Sequence, residues 1–251
     1  MGFVHFIGAG PGAADLITLR GARLLSLAEV VLCDALTDPA LRDLAPGARW
    51  IDVGKRGYGH ATQQAGINAL LVHSARTHAR VVRLKGGDPS LFARLEEEMT
   101  VLAEHDIGFE VVPGVTAALA AAAAARRPLT RRGRGRSVVF GTAMTAQGEL
   151  PAAHGSDSEV FYMAGRKLGA LSRRLRALGW PADTPACVVS RAGWPDQLVS
   201  DHRLAMLAEA AVLHGGRPTV VTVGVAARPA DEGAKTLTQD RHRTTGTAAP
   251  T

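Results

Sequence analysis

The run Lys85-Gly86-Gly87-Asp88-Pro89 follows a stretch of buried-strand character (Val81, Val82, Leu84) and precedes a helical one, Leu91 to Glu104. Two adjacent glycines at a strand end let a ligand or another backbone come close, because no Cβ stands in the way. Asp88 then falls at the carboxyl edge of the strand, where open α/β sheets hold small molecules. Alone, Gly-Asp-Pro could be an ordinary turn. Other strand ends in the chain carry Gly, Pro or polar clusters of the same kind, and that repetition constrains the fold.

Strand character is read over Val4 to Gly8, Val30 to Cys33, Trp50 to Val53, Val81 to Leu84 and Phe109 to Val112, with helices over Thr18 to Leu27 and Ile67 to Arg76. Near-continuous apolar strands separated by helices predict a mainly parallel sheet covered on both faces. Ala117 to Ala125, almost all alanine, reads as a closely packed helix. The basic segment from Arg126 to Arg136 reads as a linker between two lobes. Beyond it, strands are expected over Val138 to Phe140, Val160 to Met163, Ala186 to Val189 and Val220 to Val223, and helices over Leu168 to Leu178 and Leu204 to His214. From Arg228 apolar periodicity stops, which predicts a disordered tail. The expected organisation is an α/β chain with an N-terminal lobe over 1–127, a C-terminal lobe over 128–227 and a tail over 228–251.

The chain has 251 residues, 46% of them hydrophobic, enough for a sizeable core. No apolar run has membrane-spanning length, and strand character starts at Val4, so neither a membrane span nor a signal peptide is expected. Cys33 and Cys187 lie in apolar runs and read as buried thiols of a reducing cytoplasm. No Cys/His spacing suggests a metal. The net charge of +6 favours an anionic partner, while 4% aromatics argue against base-stacking platforms. Gly8-Ala9-Gly10-Pro11-Gly12 is a poor dinucleotide fingerprint: its third glycine comes one position early, and Pro11 lacks an amide donor.

The set is more specific than any single loop. In order come Gly8-Ala9-Gly10-Pro11-Gly12, Asp34, Asp52-Val53-Gly54-Lys55-Arg56, Ile67 to Leu71, Val82 to Pro89, and Val112-Pro113-Gly114-Val115-Thr116-Ala117. Pro128-Leu129-Thr130, Tyr162-Met163-Ala164-Gly165 and Arg191 continue the series, which resembles the uroporphyrinogen-III C-methyltransferases of the tetrapyrrole methylase family over about Val4 to Ala226. The resemblance implies two α/β lobes with a cleft for S-adenosylmethionine, a homodimer, and methylation of uroporphyrinogen III at carbons 2 and 7 to give precorrin-2 for siroheme or cobalamin. It places cofactor contacts on Pro11, Gly86, Gly87, Asp88, Leu91, Thr116, Ala117, Met163 and Ala192. It makes Asp34 the proton acceptor and Lys55 the proton donor, and it implies no metal.

Residue chemistry fits that expectation. An electron-rich pyrrole carbon can attack a methyl sulfonium in line, so the protein must hold two reactants and manage a proton. The substrate is a polycarboxylate, so Arg131 and Arg132 are candidates to bind it. Three simpler readings compete: Asp34 as a helix cap, Lys55 as a carboxylate anchor and Met163 as core filler. The sequence also departs from the family pattern. Ala93, Leu95 and Glu96 replace glycines after Gly-Asp-Pro, and Ala35 replaces an arginine. Another precorrin intermediate is therefore the nearest alternative substrate. A ribosomal-RNA methyltransferase family shares the fold but carries Ser-Asp-Ala-Gly-Thr-Pro in place of this loop, which argues against nucleic acid. A non-catalytic cofactor-binding protein is the third alternative.

Overall fold

A computed structural model of the chain describes residues 2–54, 64–143 and 155–230. It divides into two compact units, Met1–Ala120 with Ala192–Pro195, and Ala121–Arg191 with Asp196–Thr251. The division falls inside the alanine helix, earlier than the boundary expected after Arg127. Most of the tail expected over 228–251 lies outside the described residues.

The first unit alternates β1 (Phe3–Gly8), α1 (Leu19–Ser26), β2 (Val30–Cys33), β3 (Arg49–Asp52), α2 (Gln64–Thr77), β4 (Arg80–Lys85), α3 (Leu95–Glu104), β5 (Phe109–Val112) and α4 (Ala117–Ala124). Its five strands form one parallel sheet in the order β3-β2-β4-β1-β5. Strand alternation sorts the core into two layers. Val4, Phe6, Val30, Leu32 and Val81 pack with Ile67, Leu71 and Leu102 on one face. Ile7, Val31, Cys33, Val82 and Leu84 pack with Leu25 and Leu41 on the other. Thr18 caps α1, its Oγ1 accepting the Gly21 N–H at 3.1 Å.

The second unit holds β6 (Val138–Thr142), β7 (Ser158–Tyr162), α5 (Leu168–Ala177), β8 (Pro185–Ser190), β9 (Leu198–Arg203), α6 (Ala211–His214) and β10 (Thr219–Gly224). Its sheet, ordered β6-β7-β10-β8-β9, is parallel only between β6 and β7. Its core gathers Phe161, Leu171, Leu175, Val188, Leu204, Leu207 and Val221. Among the described residues no helix is long and apolar enough to cross a membrane.

Three expectations change. The helix expected from Leu91 starts only at Leu95, because Phe92 and Arg94 both stand at φ 54°, and left-handed residues cannot continue an α-helix. The segment expected as one helix over Leu204 to His214 is a 3-10 turn over Leu204–Ala210 that becomes α-helical only at Ala211–His214. The basic segment is not simply a solvated linker. Arg127 is buried, paired through both terminal nitrogens with Asp201, and donates to the Ala227 carbonyl at 2.8 Å.

Candidate functional site

Three loops at the carboxyl edge of adjacent strands β4, β1 and β5 meet through glycine. A Cβ on Gly8 would sit 2.5 Å from Gly114 Cα and 2.8 Å from the Gly87 oxygen. A Cβ on Gly114 would sit 2.8 Å from Gly8 Cα and closer still to that oxygen. Only bare backbone fits. Gly10 and Gly87 also exchange a pair of hydrogen bonds, Gly87 N–H to Gly10 O at 2.7 Å and Gly10 N–H to Gly87 O at 3.3 Å.

Asp88 fastens this junction. Its Oδ1 accepts the Ser90 N–H at 2.8 Å and its Oδ2 accepts the Gly114 N–H at 2.9 Å. The carboxylate is thus a brace between the loops after β4 and β5. Gly87 stands at φ +71°, and its missing Cβ would face Ala117 N at 3.9 Å and Thr116 Cα and Val115 O at 4.0 Å. That leaves a slot about one methyl wide, walled by Gly87, Thr116 and Ala117. Thr116 is buried, and its carbonyl accepts the Leu119 N–H at 3.1 Å in the first turn of α4. Half-buried Leu91 donates its N–H to the Asp88 carbonyl at 3.3 Å. A Cβ on Gly86 would be tighter than one on Gly87, meeting Leu36 Cβ at 3.3 Å, but looser than one on Gly8 or Gly114.

Ala192 reaches this unit from far along the chain. A Cβ on Gly12 would lie 2.8 Å from both Ala192 O and Trp194 Cδ1, so the 192–195 segment packs on the loop that holds Pro11. The first unit therefore carries Pro11, Gly86, Gly87, Asp88, Leu91, Thr116 and Ala192 on its own loops and Ala117 at the start of α4. Backbone amides and carbonyls free of side-chain bulk suit a ligand with a polar amino-acid end and a ribose, the groups S-adenosylmethionine presents.

Asp34 follows β2 at the same edge. It is not a helix cap: Asp38 fills that position, its Oδ1 accepting the Ala40 N–H at 2.9 Å. The Asp34 Oδ1 instead accepts from Arg83 Nη2 at 2.6 Å. Arg83, Lys85 and Glu98 form a buried ionic group that sequence reasoning did not assign to the site. Arg83 Nε lies 3.2 Å from both Glu98 oxygens, and Lys85 Nζ lies 2.9 Å from Glu98 Oε2. Gln64 of α2 also reaches Glu98 Oε1, at 3.2 Å. The available signal was Arg83 and Lys85 alternating with Val82 and Leu84 in a strand that is apolar between its exposed first residue, Arg80, and Arg83. Burial, then the Arg83 charge, lowers the Lys85 ammonium below its ordinary range. Burial opposes the Arg83 charge as well, but the carboxylates of Asp34 and Glu98 outweigh it and hold Arg83 above its usual value. Lys55 lies outside the described residues.

In the second unit Met163 stands at φ 56° with 43% of its surface exposed. It is therefore not core filler, and its left-handed backbone costs about 1–2 kcal/mol. Arg132 is exposed. The Arg131 guanidinium is turned to its own unit's backbone, donating to the carbonyls of Arg228 and, at 3.3 Å, Pro229.

Known proteins resemble this chain in sequence and in fold. The chain is 43% identical over 230 residues to a siroheme synthase of Neisseria meningitidis, covering 89% of this chain and 48% of that one. It thus spans about half the length of the curated relatives it matches. A uroporphyrin-III C-methyl transferase from Thermus thermophilus, solved with S-adenyl homocysteine, superposes with a TM-score of 0.79 at 36% identity, covering 90% of this chain and 98% of the other. A cobalt precorrin-4 methyltransferase superposes with a TM-score of 0.78 at 28% identity, covering 90% and 96%. Residues 4–208 match the family model described as Tetrapyrrole (Corrin/Porphyrin) Methylases. With both sheets and every glycine loop inside or beside that span, the chain belongs to the tetrapyrrole methylase family.

Proposed function

We propose that this chain transfers methyl groups from S-adenosylmethionine to carbons 2 and 7 of uroporphyrinogen III, giving precorrin-2 for siroheme or cobalamin. The observation that carries the reading is the junction of Gly8, Gly87 and Gly114 with its Asp88 brace, beside an Asp34 carboxylate held by Arg83. When bound, S-adenosylmethionine supplies an electrophilic methyl on a sulfonium. The chain's own task is alignment. Pro11, Gly86, Gly87, Asp88, Leu91, Thr116, Ala117, Met163 and Ala192 orient the donor, largely through backbone. Asp34 takes up the one net proton the substrate loses for each methyl it gains, and Lys55 serves as proton donor only where a proton added at one atom of the tetrapyrrole is matched by another withdrawn elsewhere on it. Arg132 answers the substrate's carboxylates, whereas Arg131 is held on the carbonyls of Arg228 and Pro229.

We read the working enzyme as a cytoplasmic homodimer. A second substrate reading, methylation of a later precorrin, draws on the near-equal superposition on the cobalt precorrin-4 enzyme and on Ala35, Ala93, Leu95 and Glu96. Anaerobic incubation with uroporphyrinogen III and S-adenosylmethionine, followed by mass measurement, tests the proposal. Addition of two methyl groups is the expected result. An unchanged substrate, alongside methylation of a precorrin, would move the assignment to the second reading.

A further inference from the structure

On β4, Val81, Arg83 and Lys85 occupy one face, the face that packs against α2 and α3. The layer is apolar at Val81 and turns ionic toward the carboxyl edge. There Arg83 uses all five of its N–H groups. Nε donates to both Glu98 oxygens, Nη1 to the Leu32 and Leu84 carbonyls at 3.4 and 3.2 Å, and Nη2 to Glu98 Oε1 at 3.1 Å and Asp34 Oδ1 at 2.6 Å. The side chains of Arg83, Glu98 and Lys85 are only 1–2% exposed, whereas Asp34 is 30% exposed.

Burying such a group is a poor way to gain stability, because the desolvation of its charges is rarely repaid by their attraction. Its geometric effect is specific. Two anions and two cations balance. A planar fork that cannot move pins one oxygen of Asp34, and Oδ2 has no hydrogen-bond partner among the described residues. The backbone of Asp34 is held too: its N–H donates to the Leu84 carbonyl at 3.1 Å, and its carbonyl accepts the Thr37 hydroxyl at 2.8 Å.

We propose that Arg83, itself locked by Glu98, is the positioning residue for Asp34, fixing Oδ1 so that Oδ2 is presented to the proton the substrate loses. The inference rests on the reading of Asp34 as proton acceptor. Arginine is required at this point because lysine has no planar fork to span both carboxylates. Arg83 touches neither reactant; it acts through Asp34.

The test is a double-mutant cycle on anaerobic turnover of uroporphyrinogen III by the intact chain. Arg83→Gln with Glu98→Gln removes the fork and one anion together, leaving Asp34 and Lys85 balanced. Turnover should fall by about 10²-fold, the effect of misplacing a reacting group by about an ångström. KM and S-adenosylhomocysteine affinity should hold. Adding Asp34→Asn to that pair should cost nothing beyond Asp34→Asn alone, because the two changes remove one function. Should the paired variant fail to fold, Arg83→Lys keeps the charge and carries the same comparison. Losses that multiply, or a wild-type kcat without Arg83, would overturn the proposal. A wild-type kcat in Asp34→Asn would overturn the proton-acceptor reading, and this role with it. That outcome is distinct, because it appears in the single variant.

Discussion

Replacing Gly87 with alanine should separate folding from cofactor binding. At φ +71° an alanine is strained by about 1–2 kcal/mol. In a chain of this size about 1 kcal/mol moves Tm by about 2–4 °C, so the variant should melt about 2–8 °C lower. Its methyl meets no atom of the described residues closer than 3.9 Å, so strain is the main cost to the free protein. The methyl would, however, occupy the slot walled by Thr116 and Ala117, where the donor is proposed to lie. Overfilling a packed site costs about 1–3 kcal/mol, and with about 1.4 kcal/mol per tenfold the affinity should drop about 5- to 150-fold. Thermal denaturation reads the first effect and calorimetry with S-adenosylhomocysteine the second. Gly47→Ala, with no atom of the described residues within 4 Å of its new Cβ, is the control and should change neither. A Gly87→Ala protein that melts low yet binds S-adenosylhomocysteine as tightly as the unaltered one would refute the placement of the cofactor against this slot.

Asp88→Ala strips the acceptors from the Ser90 and Gly114 amides, so it should lower stability by about 1–3 kcal/mol and abolish S-adenosylhomocysteine binding, both visible in a ligand-shift melt; wild-type binding would mean the loops hold without their brace. Arg132→Ala should raise KM for the tetrapyrrole and spare kcat, whereas Arg131→Ala, losing the carbonyls of Arg228 and Pro229, should chiefly lower Tm; an unaltered KM would return Arg132 to solvent. Burial, then the charges of His202 and Arg217, holds the His214 imidazole below its ordinary 6.5. The native state therefore binds that proton less tightly than the unfolded chain, so its share of stability is complete above 6.5 and is lost as pH falls. Melts between about pH 7 and 5 should drop more steeply for the unaltered protein than for His214→Gln, and parallel curves would clear His214 of the effect.

The sequence by itself determined the alternation of strands and helices in the first unit and the places where glycine must stand. Both are local properties. A buried parallel strand needs a continuous apolar run, as in Val30 to Cys33, and a backbone junction leaves its mark as glycine. The order of the loops was enough for the family resemblance. Helix α3 shows where local reading fails. Leu91 to Glu104 has helical composition throughout, yet Phe92 and Arg94 take left-handed backbone and delay the helix to Leu95. Strand β9 was missed because its sequence, Leu-Val-Ser-Asp-His-Arg, is polar enough for a loop. It becomes a strand by pairing with β8, with Asp201 opposite Cys187 and within reach of Arg127.

The roles of the charged residues were decided only in three dimensions. Asp34 follows β2, Arg83 lies on β4 and Glu98 on α3, and nothing in the spacing of one predicts the orientation of another. Period-two alternation puts Arg83 and Lys85 on one face. Only the packing of α3 across that face makes it an interior rather than a solvated surface, and only the position of Glu98 turns two isolated cations into a fixed support for Asp34. Asp88 follows the same rule: its place at a strand end is written in the chain, but its work as a brace depends on an amide 26 residues away that folding brings to 2.9 Å. Strand and turn formation are settled by neighbours along the chain, whereas the direction a buried charge faces is settled by whatever else is packed around it.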